Sequence, residues 1–167
     1  MTSELEKAYR NAMGAFTTGV TVVTAQGANG ALSGMTVNSL TSVSLTPRLL
    51  LWCLGDRSAR YAEFAEADEW GVSVLRAGAE ASARRYSRAA TQDVAADAAE
   101  MLAGVSVLRE GLAQLACRTH DKIKVGDHLI IIGEVRDVRV RPGAGMTFFR
   151  GGYGEVASPA DRLGSSD

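Results

Sequence analysis

The stretch Gly34-Met35-Thr36-Val37-Asn38-Ser39-Leu40-Thr41-Ser42-Val43-Ser44-Leu45-Thr46-Pro47 decides how the rest of the chain is read. Thr36, Asn38, Ser39, Thr41, Ser42 and Ser44 crowd small hydroxyl and amide groups together, while Val37, Leu40, Val43 and Leu45 give the backbone apolar anchors. Two readings stand side by side. Such side chains and their backbone N–H groups can donate several neutral hydrogen bonds to a phosphate or to the edge of a heteroaromatic ring. The same residues also make an ordinary edge strand and turn rich in Thr and Ser.

On the N-terminal side, Leu5, Tyr9, Ala12, Met13 and Phe16 recur at three- and four-residue spacing behind a Thr2-Ser3 cap, which predicts an amphipathic helix lying against the body of the fold. Residues 19–25 form a Val/Thr run, and Gly27-Ala28-Asn29-Gly30 turns it into a second strand that leads into the quoted stretch. Beyond Pro47, Leu49-Leu50-Leu51-Trp52-Cys53-Leu54 reads as a strand buried on both faces. Ser58 then caps a helix with Tyr61, Phe64 and Ala65 inward, and residues 70–75 form another strand. Residues 77–104 are rich in Ala, Arg, Asp and Glu, which predicts helix, divided in two at Thr91-Gln92-Asp93. Residues 112–119 and 129–140 read as long strands flanking residues 121–128, where Gly126-Asp127 suggests a turn or bulge, and residues 146–149 as a last short strand.

About seven strands with few crossover helices argue for an antiparallel barrel rather than a doubly wound sheet. At 167 residues the chain is most simply one domain, residues 1–157, followed by a tail at 158–167 whose Ser, Gly, Asp and Pro predict disorder. A net charge of −1 argues against nucleic-acid or membrane partners bound through bulk electrostatics. The polar N-terminus and the lack of an 18-residue apolar run predict a cytoplasmic protein. Cys53 and Cys117, each in an apolar run and not in a Cys-x-x-Cys pair, read as buried free thiols.

The sequence contains neither Gly-x-Gly-x-x-Gly nor Gly-x-x-x-x-Gly-Lys-Ser/Thr, so a nucleotide would bind outside a Rossmann or P-loop frame. Gly-x-Ser-x-Gly is missing too, and hydrolase chemistry fits poorly. Cys117, His120 and His128 invite a zinc reading, but strand alternation puts Cys117 and His120 on opposite faces and no fourth ligand is evident; no metal site is expected.

Together with Thr17-Thr18-Gly19-Val20-Thr21-Val22-Val23-Thr24 and Gly126-Asp127-His128, the quoted stretch resembles the signature of the short-chain flavin reductase family, over about Tyr9 to Tyr153. These are the small reductase components of two-component flavin-dependent monooxygenases. The resemblance implies a mainly β fold, a six-stranded antiparallel Greek-key split β-barrel with a few peripheral helices, working as a homodimer. It implies an NAD(P)H:flavin oxidoreductase that reduces FMN or FAD with NADH or NADPH and supplies a partner monooxygenase. Carried over residue by residue, it places Thr36, Val37, Asn38 and Ser39 at the flavin ring or ribityl chain, and Ser42, Val43 and Ser44 toward the ribityl chain and phosphate. Arg84, Arg85, Tyr86 and Arg88 stand on a predicted helix where the family often has Arg-Arg-Phe, so Arg85 and Tyr86 join the cofactor-binding set, as do Arg150 and Tyr153. Ser58, at a helix start, is a second phosphate candidate as well as a simple cap. His128 is the catalytic candidate, beside the nicotinamide. Ser73 and Leu40 depart from the family's usual Asn and Phe, which leaves the pocket's width open. Two other functions fit the same motifs: a flavin-binding barrel without catalysis, and a flavin-dependent reductase of another acceptor such as a metal complex.

Overall fold

The computed structural model describes residues 3–88 and 93–158. In chain order the elements are α1 (Glu4–Gly14), β1 (Thr18–Gly19), β2 (Thr21–Gln26), β3 (Leu32–Val37), β4 (Thr41–Leu45), β5 (Arg48–Gly55), α2 (Tyr61–Glu66), β6 (Glu69–Leu75), α3 (Glu80–Tyr86), β7 (Ala99–Leu102), β8 (Val105–Leu108), β9 (Gly111–Val125), β10 (His128–Val140), β11 (Gly145–Phe149) and β12 (Gly152–Val156). The main sheet has seven strands in the order β3-β2-β6-β9-β10-β5-β4, flanked by a three-stranded sheet β1-β11-β12 and the hairpin β7-β8. Every pairing is antiparallel.

The strand order itself requires closure. β3 and β4 are the two edges of the seven-stranded sheet, yet only Asn38, Ser39 and Leu40 separate them in sequence. Laid flat, six inter-strand spacings would hold the edges about 29 Å apart. Four residue steps reach at most about 14 Å. The sheet therefore curls into a barrel that is split along the β3/β4 seam, and the short link bridges the split. Along it the backbone is not taken up in the ladder, which leaves donors free for a ligand.

Trp52, Leu54, Trp70 and Ile131 fill the barrel with Phe64 brought in by α2. Trp52 meets Phe64 edge-on at 5.9 Å and Trp70 at 6.0 Å. β10 passes so close to the Trp70 ring that only glycine fits at position 133. A second cluster, with Val20, Val22, Leu75, Ala83, Tyr86 and Met146, binds α3 to the β1-β11-β12 sheet. A third, Leu102, Val105, Val107 and Ala116, seats the β7-β8 hairpin on β9.

Several sequence expectations need correction. The barrel sheet has seven strands rather than six, and four further strands (β1, β7, β8 and β12) were not expected from the sequence. In the region expected to be helical, α3 and a 3-10 turn at Ala96–Ala98 are so among the described residues; β7 and β8 follow, joined by Ala103-Gly104 with φ of 46° and 86°. Two successive positive φ values make a tight hairpin turn, and packing overrides the helical propensity of Ala99 to Leu102. Thr91-Gln92, expected to divide two helices, and the tail from residue 159 lie outside the described residues.

The β5 strand is buried on one face only: Leu50, Trp52 and Leu54 point inward while Leu49, Leu51 and Cys53 are half-buried on the outer face. Helix α1 forms as expected, with a capping box between Ser3 and Glu6. It does not bury its apolar face, however: Leu5, Tyr9, Met13 and Phe16 are 79%, 65%, 51% and 69% exposed.

Candidate functional site

A wide opening lies where the seam, the β1 segment and α1 converge, a cleft of about 1010 Å³. Its walls come from Tyr9, Arg10, Met13 and Phe16 on one side and from Thr17, Thr18, Asn38, Ser39, Leu40, Thr41, Cys53 and His128 on the other. The exposed face of α1 is thus one wall of the cleft. A smaller cavity of about 170 Å³ adjoins it, lined by Val20, Thr36, Val37, Asn38, Ser87, Phe148 and Tyr153. Asn38 lines both and is the joint between them.

Apart from Arg10 and His128, the polar groups are neutral, and two of them are fixed in place. Ser39 Oγ accepts from Cys53 N at 3.0 Å, pinning the link to β5, and Thr36 Oγ1 donates to Ala83 O at 2.7 Å, tying β3 to α3. Thr18 Oγ1 is buried with no hydrogen-bond partner, and Thr18 lines the main cleft. A buried hydroxyl left orphaned is costly unless a ligand group meets it. An apolar-walled cleft with a few convergent neutral donors suits a flat heteroaromatic ring with a polar edge.

His128 opens β10 opposite Gly55 and Val125, next to Gly126, whose φ of 58° makes the turn. Its Nδ1 lies 2.8 Å from Asp127 Oδ1, and a side chain added at Gly55 would meet Nε2 at 3.5 Å. The hydrogen bond from the imidazole holds the Asp127 carboxyl below the usual carboxylate range. With Nδ1–H donated to that carboxylate, Nε2 is left to accept or, on the imidazolium, to donate. The side chain is half exposed and lines the cleft rather than the core.

The structure gathers Thr36, Val37, Asn38, Ser39, Tyr153 and His128 around the two joined cavities. Ser42, Val43 and Ser44 are on the outer edge strand β4, with Ser44 Oγ accepting from Thr46 N at 3.2 Å; none of them lines the cleft. Ser58 is not a helix cap: α2 starts from Arg60 without a side-chain cap, and Ser58 Oγ receives only Arg60 N at 3.4 Å. Arg85 lies with Arg84 and Arg88 along a separate groove on α3 and donates to Asp93 O at 3.1 Å. Tyr86 is the clear correction: at 3% exposure it packs on Gly34 inside the second core cluster, so its ring is a packing element. Arg150 lines a third groove beside α1.

The departures from the family pattern separate in the same way. Ser73 is buried and accepts from Leu108 N at 2.9 Å, away from the cleft, whereas Leu40 is part of the cleft wall. His120 is exposed at a bulge in β9, and Cys117 is buried, its thiol pKa pushed up to about 12 by desolvation. Among the described residues no cluster of three or more His, Cys, Asp or Glu is placed to hold a metal. The sequence reading missed Thr18, Cys53, Arg10 and the α1 wall as site residues. The Thr17-Thr18-Gly19 motif was the available signal for the first.

Comparison with known proteins agrees with this geometry. A family model described as "Flavin reductase like domain" matches residues 13–157. "FMN reductase (NADH) SmoA" of Agrobacterium fabrum is 41% identical over 92% of this chain and 88% of that one. The reductase component of "4-nitrophenol 4-monooxygenase/4-nitrocatechol 2-monooxygenase" of Rhodococcus opacus is 30% identical over 90% of this chain and 81% of that one. Among solved structures, the NADH:FAD oxidoreductase SgcE6 of Streptomyces globisporus, in complex with NAD and FAD fragments, superposes with a TM-score of 0.81 at 34% identity, covering 96% of this chain and 99% of that one. With its split barrel, its cleft at the seam and a family match across most of its length, this chain belongs to the flavin reductase-like family.

Proposed function

We propose that this chain takes hydride from NADH or NADPH, delivers it to FMN or FAD, and releases the reduced flavin to a separate monooxygenase component. The observation that carries the reading is the seam cleft, in which Thr18, Asn38, Ser39 and His128 line a common space. When bound, the nicotinamide and flavin supply the hydride donor and acceptor, so the redox chemistry is the cofactors' own. The chain's contribution is placement. Asn38, Ser39 and Thr18 orient a ring edge through neutral hydrogen bonds, and Tyr9, Met13 and Phe16 screen it from water. His128, with Asp127 holding its Nδ1–H, presents Nε2 to a carboxamide or to an acceptor edge where negative charge builds up.

Neutral hydrogen bonds hold a ring less tightly than buried ion pairs, which supports flavin exchanging as a substrate. The relatives named as NADH-dependent and as a monooxygenase reductase component support the donor and the partner. A homodimer is supported by the outer face of the barrel, where the half-buried Leu49, Leu51, Ile130 and Ile132 from β5 and β10 share one side. No helix among the described residues is long and apolar enough to cross a membrane, and a cytoplasmic site fits that reading.

The test is to mix purified protein with NADH or NADPH and excess FMN or FAD while following nicotinamide absorbance. Turnover that saturates with free flavin is expected. Flavin binding without nicotinamide oxidation would instead identify a binding barrel, and oxidation that requires a metal complex would identify a different acceptor.

A further inference from the structure

A groove of about 590 Å³ runs beside the main cleft, lined by Arg10, Asn11, Gly14, Phe148, Arg150 and Gly151, and Arg10 belongs to both. Two arginines therefore line a groove that has no acidic residue in its wall among the described residues. Neither Arg10 nor Arg150 has an ion-pair partner among the described residues. Both are exposed, and Arg150 leans its guanidinium over Phe149 at 5.3 Å.

The C-terminal end of α1 would ordinarily oppose an anion here, through its free carbonyls. Those carbonyls are occupied: Ala12 O accepts from Ala15 N, Met13 O from Phe16 N, and Gly14 O from Arg150 N at 2.8 Å. The last of these also fastens the two walls together. A Cβ added at Gly151 would meet nothing within 4 Å, so the groove is open on that side to a bulky group.

We infer that the Arg10/Arg150 groove is a phosphate-ester subsite, which holds the phosphorylated end of a ligand whose ring lies in the adjoining cleft. This rests on the flavin-reductase reading and reassigns the phosphate contact from the β4 hydroxyls Ser42 and Ser44 to two arginines on α1 and the β11-β12 turn. Arginine suits the role because its planar fork matches phosphate oxygens. Being exposed, the pair is hydrated and screened by salt, so binding stays reversible.

The experiment compares ligands with and without phosphate. Dissociation constants of FMN and riboflavin are measured by flavin fluorescence quenching for the parent, Arg10→Gln, Arg150→Gln and Arg150→Lys. In a second arm, KM is measured for NADH and for N-benzyl-1,4-dihydronicotinamide, a donor that carries no phosphate. Each Gln variant is expected to lose about tenfold in FMN affinity, the scale of one screened charge-assisted hydrogen bond, with riboflavin affinity held and Arg150→Lys recovering part of the loss. If instead the KM for NADH rises and that for the phosphate-free donor does not, the subsite holds the dinucleotide's phosphates, and the inference stands. Equal losses for phosphorylated and unphosphorylated ligands in both arms, or no loss in any, would overturn it. A parent protein that binds FMN over riboflavin but reduces neither would refute the enzymatic reading and leave the subsite in place.

Discussion

Replacing Gly133 by alanine tests the packing that positions the barrel wall. The added Cβ would stand 2.3 Å from Cζ2, 2.8 Å from Cη2 and 3.3 Å from Cε2 of Trp70, where carbon atoms ordinarily rest about 3.5–4.0 Å apart. The ring would have to retreat by about 1 Å, and it is not free to do so. Trp70 Nε1 donates to Thr119 Oγ1 at 3.0 Å, Thr119 Oγ1 donates on to Ala67 O at 2.8 Å, and Trp52 stands against the ring at 6.0 Å. Overpacking costs about 1–3 kcal/mol, and a strained or broken indole hydrogen bond about 1 more. Alanine returns roughly 0.5–1 kcal/mol over glycine within a strand, so steric conflict wins by about 2–3 kcal/mol. For a chain of this size that corresponds to a melting temperature lowered by roughly 4–12 °C. Thermal and urea unfolding, read by tryptophan fluorescence, would measure it, with an unchanged m-value expected. A melting temperature within about 2 °C of the parent would refute the reasoning, because it would mean the ring has room to move.

His128→Ala should lower kcat/KM for the nicotinamide by roughly 10- to 100-fold, with flavin affinity little changed; joint loss of flavin binding would move the residue to the flavin's side of the cleft. Glu100, hydrogen-bonded by Gln114 and then Arg141, has its carboxyl pKa lowered to about 2 from 4.5. A lowered folded value means that it adds stability above about pH 4.5 and loses it as pH falls toward 2, so the melting curve of Glu100→Gln should be flatter than the parent's across that window, and parallel curves would contradict this. Thiol labelling of the native protein should modify Cys53, which lines the cleft, and not the buried Cys117, with saturating FMN slowing the reaction; a rate unaffected by flavin would remove Cys53 from the site. Ile130→Asp on the outer barrel face should convert a dimer to a folded monomer in sedimentation, whereas a parent that is already monomeric at micromolar concentration would count against the dimer.

The parts of the fold that were legible in the sequence were those where local signals agree. Gly27 to Gly30 and Gly126-Asp127 mark hairpins between alternating runs, and both form. Ser3 and Glu6 announce the start of α1, but periodicity states which face of a helix is apolar and not what covers it. The β7-β8 hairpin was hidden because Ala99-Glu100-Met101-Leu102 are good helix formers, and its strand state is set by the contacts of Leu102 and Val107 across the fold. Tyr86 carried a family motif, yet helical spacing offered a correction: Ala83 and Tyr86 lie three apart on the inward side of α3, while Arg84, Arg85 and Arg88 lie outward. Asn38, Ser39 and His128 could be named from their motifs. Arg10, Thr18 and Cys53 join them only through closure of the barrel, which brings together positions far apart in sequence.

The strand order also dictates a sequence of assembly. β2, β3 and β6 make one partial sheet, and β4 and β5 another; within the main sheet nothing joins the two except the β9-β10 hairpin, whose first strand pairs with β6 and whose second pairs with β5. As the chain is synthesised, the first hundred residues hold two half-walls connected by Asn38-Ser39-Leu40, with no partner for one edge of either. Docking of residues 111–140 is the keystone step, and its long-range pairings make folding slower than in a fold built from neighbouring hairpins. An N-terminal fragment ending before Gly111 should therefore show neither a cooperative melt nor a flavin cleft, since the cleft's two sides meet only when the barrel closes.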